Sequence, residues 1–450
     1  MFRYAENELT EWLTDKGRKP LVLRGARQVG KSTLVRNFTQ NAKRELIEVN
    51  LEKIQLKSLK NEEINLKNLI TEIEDRLNQE ITNKTILFLD EIQAQPGIFK
   101  YLRYFYEERP DIPVLAAGSL LEFYLSEFEI SVPVGRIQYF FLGPMTYFEF
   151  LLALNKKLLI KRLESPSELT PVQHAEALKL FQEYLFIGGM PAAVKSYVQD
   201  QNFKKVRQIQ DSILQTYQDD FLKYAKKSKI PHLHKVFDFV PYNLGRKVKY
   251  SAIDKTVQSV EIRKAIDLLT QARVILPVYH TNASGLPLST FKEETVFKLY
   301  FLDVGLALCA QKVSWQELSS EEVLNQKGGT AEQFVAQHLF FREKGLTEPH
   351  LYYWLKDKTV GKAEIDFLFN FGRSIFPIEV KAGKTGSLKS LWQFLLEKKV
   401  KLAIKFSTSE FEVKEESHKI VQDDQESKVS AVIYHLPLYL AEKTIEICQI

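Results

Sequence analysis

Residues 25–33 read GARQVGKST. Before them, Leu21, Val22 and Leu23 form a short apolar run behind Pro20; after them, Leu34, Val35 and Phe38 recur at helical spacing. The loop therefore joins a buried strand to a helix. Within it Gly25, Gly30, Lys31 and Ser32 fit G-x-x-x-x-G-K-[ST], a phosphate-binding loop. Glycines let the backbone curl close to an anion. The freed N–H groups and the helix N-terminus point at the β-phosphate. Lys31 reaches the β- and γ-phosphates, and the Ser32 hydroxyl holds Mg²⁺. The whole stretch is expected to bind nucleotide: Gly25, Ala26, Arg27, Gln28, Val29, Gly30, Lys31, Ser32 and Thr33.

Such a loop needs a second strand that brings a carboxylate to the metal. TILFLDEIQ, residues 85–93, supplies it. Ile86 to Leu89 form a continuous apolar run, as in a parallel strand covered on both faces. Asp90 emerges at its C-terminal end and is expected at Mg²⁺, and Glu91 is suited to polarise the attacking water. Adjacent acids after a strand also cap helices; beside the upstream loop the catalytic reading prevails. IPVLAAGSL, residues 112–120, reads as a third buried strand ending in Ser119. Ser119 either orients the hydrolytic water or caps the next helix. Arg136, just before the apolar run at 137–141, either contacts the γ-phosphate in its own subunit or a neighbour, or is solvated or salt-bridged. The alternation of strands and helices implies a parallel three-layer α/β/α sheet.

GARQVGKST, LFLDEIQ, AAGSLLEF and VGRIQYFFLGPMTYFEFL resemble the AAA-type P-loop ATPase domain of a large bacterial and archaeal family. In that family a helical or winged-helix segment and a C-terminal domain of unknown function follow. YLFIGGMPAAV at 184–194, KLYFLDVGLAL at 298–308, YYWLKDKTVGKAEIDFLF and FPIEVKAGK extend the resemblance over almost the whole chain. It implies ATP binding and hydrolysis. AAA-type ATPases often form rings, so homo-oligomers are open, although no residue proves one.

The 450 residues carry 45% hydrophobic and 26% charged side chains, an ordinary globular balance, and several domains are expected. A net charge of +5 does not by itself establish a nucleic-acid partner. Cys309 and Cys448 form no metal or redox motif, which suits a reducing compartment. MFRYAENELTEW has no signal-peptide pattern, and the apolar stretch at 112–121 is too short to span a bilayer. A cytoplasmic protein without membrane contact is expected.

Residues 151–225 read as helical, with a tight turn at Gly188, Gly189 and Pro191. From Phe221 to Tyr250, eight lysines and arginines face one acid, Asp238. Two short helices and a strand follow, the order of a winged helix, so 226–310 is expected to form one. That module either contacts DNA or packs as a lid on the nucleotide domain.

In AEIDFLF, Glu364 and Asp366 share one strand face by period two, with Ile365, Phe367 and Phe369 on the other. After a turn at FGRS, FPIEVKA places Glu379 and Lys381 on one face. Two hairpin strands carrying D…E-x-K resemble the metal core of the PD-(D/E)xK nuclease fold, assigned to 311–450. The resemblance implies Asp366 and Glu379 as Mg²⁺ ligands, Lys381 as the group that orients water, and Glu332 as completing the acidic cluster. Alternating acids and a lysine are otherwise a solvated or ion-paired strand face. The expected function is an AAA-type ATPase in 1–150 acting on, or regulated by, DNA through its C-terminal region. The rival is an ATP-dependent signalling or defence switch whose C-terminal domain binds a protein or nucleic acid without cutting.

Overall fold

The computed structural model describes residues 1–60, 63–118, 135–224, 227–319, 328–341, 345–346, 348–356, 363–372, 374–383, 387–422 and 425–448. Ser119, Arg373 and part of the FGRS turn lie outside them.

The first sheet holds β1 (Leu21–Arg24), β2 (Glu45–Asn50), β3 (Thr85–Asp90), β4 (Val114–Ala117) and β5 (Gln138–Phe141), in the order β2-β3-β4-β1-β5. All pairs are parallel. Every residue of β3 and β4 is buried, because helices cover both faces, as continuous apolar runs require. Leu34, Val35 and Phe38 are buried on the helix Lys31–Asn41. Asp90 and the glycine loop leave the C-terminal ends of strands that flank β4.

Helices fill 147–271 almost without interruption. The helix Pro171–Ile187 stops at Gly188, whose φ of 72° suits glycine, and Pro191 opens the next. That turn is fixed from afar: the buried Asp303 carboxylate accepts the Gly189 N–H at 2.6 Å and caps the helix Val304–Ala310.

The second sheet is mixed. It contains β6 (Ile275–Thr281), β7 (Lys292–Phe301), β8 (Leu351–Leu355), β9 (Glu364–Phe371), β10 (Ser374–Val380), β11 (Leu402–Ser407), β12 (Glu412–Gln422) and β13 (Gln425–Pro437). Their order is β12-β13-β11-β10-β9-β8-β6-β7. The helices Ile230–Tyr242, Tyr250–Ile253 and Ser259–Gln271 and then the β6–β7 hairpin do follow one another. The hairpin is not free-standing, however: β6 pairs in parallel with β8, so strands from both sides of residue 310 share one continuous sheet. β9 and β10 form the antiparallel hairpin read from the sequence, with Phe367 opposite Ile378. Its alternation needs correction. Ile365 and Leu368 join one core and Phe367 and Phe369 another. Tyr352 pairs with Leu368 but Trp354 with Ile365, so β9 carries one extra residue there. Such a bulge reverses the inward–outward phase.

Candidate functional site

Backbone shape makes the glycine loop. Gly25 has φ 150°, and a Cβ there would lie 2.2 Å from the Leu142 carbonyl oxygen. Gly30, at φ 95°, opens the helix Lys31–Asn41, and Gln28 also takes a positive φ. Ala26 and Val29 are buried against the sheet, while Thr33 is exposed. The Lys31 ammonium lies over its own loop and donates to the Gly25 and Ala26 carbonyls at 2.9 Å each. The Ser32 hydroxyl donates to Asp90 Oδ2 at 3.0 Å. Two hard oxygen ligands from separate elements thus stand side by side at a helix N-terminus, and these residues fit Mg²⁺ and a nucleotide phosphate. Burial is the largest influence on the Asp90 carboxyl and raises it, with the Ser32 hydrogen bond opposing. Glu91 follows with φ 53°, and Gln93 Nε2 donates to its Oε2.

Arg136 is not brought to this site within the chain. β5 runs parallel to β1, with Gln138 beside Leu21. Arg136 therefore sits at the end of the sheet opposite the loop, about 20 Å of strand away. It pairs there with Glu107 at 2.8 Å and is half exposed.

Glu332, Glu364, Asp366, Glu379 and Lys381 do come together, around a side chain whose role the sequence reading missed. Lys298 on β7, only 1% exposed, is ion-paired to Glu364 and lies 3.5 Å from Glu332 and 3.8 Å from Asp366. Tyr300 Oη donates to Glu332 at 2.8 Å, and Asp366 Oδ2 accepts the Val380 N–H at 2.8 Å. Lys381 pairs with Glu379 Oε1. Burial would lower the Lys298 ammonium, but the carboxylates of Glu332, Asp366 and Glu364 outweigh it and hold it above the usual lysine range. Burial pushes Glu332 up to about 7 against the pull of Lys298. Burial, then the Asp366 charge, pushes Glu379 up to about 8. Among the described residues no three His, Cys, Asp or Glu side chains converge as a metal cage. The cluster therefore does not fit the Mg²⁺ implied at Asp366 and Glu379: an ammonium already faces the oxygens a cation would need. The available signal was a lysine inside an apolar strand, VFKLYFL.

Residues 17–151 match the family model of an AAA domain. That span is similar to an AAA domain and holds the parallel sheet and the glycine loop. Residues 178–317 and 327–427 match two domains of unknown function, DUF8612 and DUF4143. No curated protein matches the chain. Among solved structures, the Walker-type ATPase PABY2304 of Pyrococcus abyssi is 16% identical, covering 68% of this chain and 94% of its own, with a TM-score of 0.43. The ORC2 protein of Aeropyrum pernix, in ADPNP–ADP complexes, is 13% identical over 70% and 93%, with 0.35. The RuvB Holliday junction branch migration motor of Thermotoga maritima is 14% identical over 60% and 87%, with 0.30. Likenesses this loose assign nothing to the present chain. No helix among the described residues is long and apolar enough to cross a membrane.

Other elements grip the glycine loop. Arg27 is ion-paired to Asp220, just past the helix Phe203–Asp219, and Tyr217 Oη donates to the Arg27 carbonyl at 2.7 Å. From the other side, Arg3 donates to the Val29 carbonyl at 3.0 Å and pairs with Glu149 at 2.9 Å. None of these partners is adjacent to the loop in sequence, and no local pattern announces them.

Proposed function

We propose that the chain hydrolyses ATP with Mg²⁺, and that this cycle acts on DNA or is regulated by it through the C-terminal region. The observation that carries the hydrolytic part is the Ser32–Asp90 contact at 3.0 Å, with Glu91 next to it. In this reading the loop amides and Lys31 hold the β- and γ-phosphates, Ser32 and Asp90 hold Mg²⁺, and Glu91 takes a proton from the attacking water. Mg²⁺ supplies charge neutralisation at the phosphate oxygens. Ser119, outside the described residues, is proposed to orient that water. Arg136 serves only the γ-phosphate of a neighbouring copy, so its use requires a homo-oligomer. The DNA part rests on the helix–helix–helix–hairpin order at 230–301 and on exposed Arg246, Lys247, Lys249, Arg263 and Lys264 around it. We place the protein in the cytoplasm, where its two unbridged cysteines stay reduced.

A second reading is favoured by Lys298 in the acidic cluster: an ATP-dependent switch whose C-terminal region binds a protein or nucleic acid without cutting it. One experiment tests both. ATP turnover by the purified chain is measured with Mg²⁺, with and without single- and double-stranded DNA, beside Lys31→Ala. Turnover that DNA stimulates and Lys31→Ala abolishes supports the first reading. Turnover indifferent to DNA moves the assignment to the switch, and full turnover in Lys31→Ala defeats the P-loop assignment itself.

A further inference from the structure

We propose that the carboxylate cluster of the second sheet takes the Lys298 ammonium as its resident cation and binds no divalent metal, so that this region performs no metal-assisted hydrolysis. The reason is placement. A divalent cation needs several oxygens turned toward it at about 2.0–2.6 Å. Here Glu332 Oε2, Glu364 Oε1 and Asp366 Oδ1 turn toward one nitrogen, which Tyr353 backs with its ring at 5.2 Å. The remaining Asp366 oxygen is used by the Val380 N–H, and one Glu379 oxygen by Lys381. The other, Glu379 Oε2, is buried without a hydrogen-bond partner. A metal seated among these groups would stand within a few ångströms of a buried like charge, in surroundings that screen it poorly.

The lysine is also not replaceable at no cost. A buried ammonium persists only with its counter-charges, and the acids depend equally on it. Glu332 sits in the space that Gly245 leaves by having no side chain, since a Cβ there would lie 2.5 Å from its carboxylate. The same carboxylates that would ligate Mg²⁺ in a nuclease thus serve as an internal ion-pair network tying β7, β9 and the helix Gly328–Phe340 together.

The inference is independent of ATP turnover and of any DNA partner, because metal binding is read on nucleotide-free protein without nucleic acid. Mn²⁺ is titrated into the full chain and followed by electron paramagnetic resonance for wild type, Asp366→Asn and Lys298→Met. Melting is followed in parallel with and without MnCl₂. Wild type and Asp366→Asn are expected to bind Mn²⁺ alike, since any P-loop binding is common to both, and any shift of melting with Mn²⁺ should be the same in both. Lys298→Met should melt lower and recover several degrees more with Mn²⁺ than wild type does. A wild-type Mn²⁺ site that Asp366→Asn removes would overturn the proposal. So would a folded Lys298→Met that ignores Mn²⁺. Where Lys298→Met does not fold, wild type against Asp366→Asn still decides: equal binding sustains the proposal and a lost site ends it.

Discussion

Gln93 holds the carboxylate of Glu91 from two residues along the chain. If Glu91 is the base, Gln93 is a positioning residue. Gln93→Ala is then expected to lower kcat roughly tenfold and leave KM for ATP unchanged, since general-base efficiency depends on geometry; a rise in KM alone would refute it. Lys31→Ala removes the ammonium meant for the phosphates. Calorimetric titration should show ATP affinity reduced by about 100-fold or more, the loss of two charge-assisted hydrogen bonds. Gly25→Ala forces a Cβ into the Leu142 carbonyl. Urea unfolding should report a loss of about 2–4 kcal/mol. The strand, loop and helix at 21–41 were legible because their pattern is local, one loop and one helix start. Lys298 was not, because Glu332 lies 34 residues away and a strand lysine ordinarily reads as a solvated face.

At the scale of elements, direction and register decide what composition cannot. The apolar runs identify β1 to β5 without help, but only their parallel pairing shows that Arg136 faces away from the loop. The bulge in β9 depends on its partner β8, so strict alternation mispredicted the side on which Phe367 and Phe369 lie. The helix start at Tyr147 supplies a pH test. Glu442 accepts the Phe148 N–H at 3.3 Å. Burial pushes its carboxyl from 4.5 up to about 8, with the Thr146 hydrogen bond opposing. The folded protein keeps this proton up to about pH 8, while the unfolded chain releases it near 4.5. Stability from this group is therefore full below about 4.5 and falls as pH rises, by at most about 1.4 kcal/mol per unit. Glu442→Gln should flatten the fall in urea midpoint between pH 5 and 8, and an unchanged slope would exclude Glu442 as its source.

Across the whole molecule, one apolar core runs from Leu9 and Phe38 through Tyr147, Tyr184 and Phe334 to Tyr439 and Leu440. Boundaries drawn from composition at 150, 225 and 310 do not interrupt it. Calorimetric melting of the full chain is accordingly expected as one cooperative transition; two well-separated peaks, the lower removing only the second sheet, would contradict a shared core. That core also fixes an order of events during synthesis. Phe148 bonds to Glu442 across 294 residues. At roughly 5–20 residues per second, a ribosome needs about 15–60 seconds to travel between them. Through that interval Tyr147 and Phe148 have emerged but Tyr439 and Glu442, which close over them, have not. The newborn chain thus shows a greasy aromatic face to the cell for most of a minute, a natural target for chaperones that shield unfinished polypeptides.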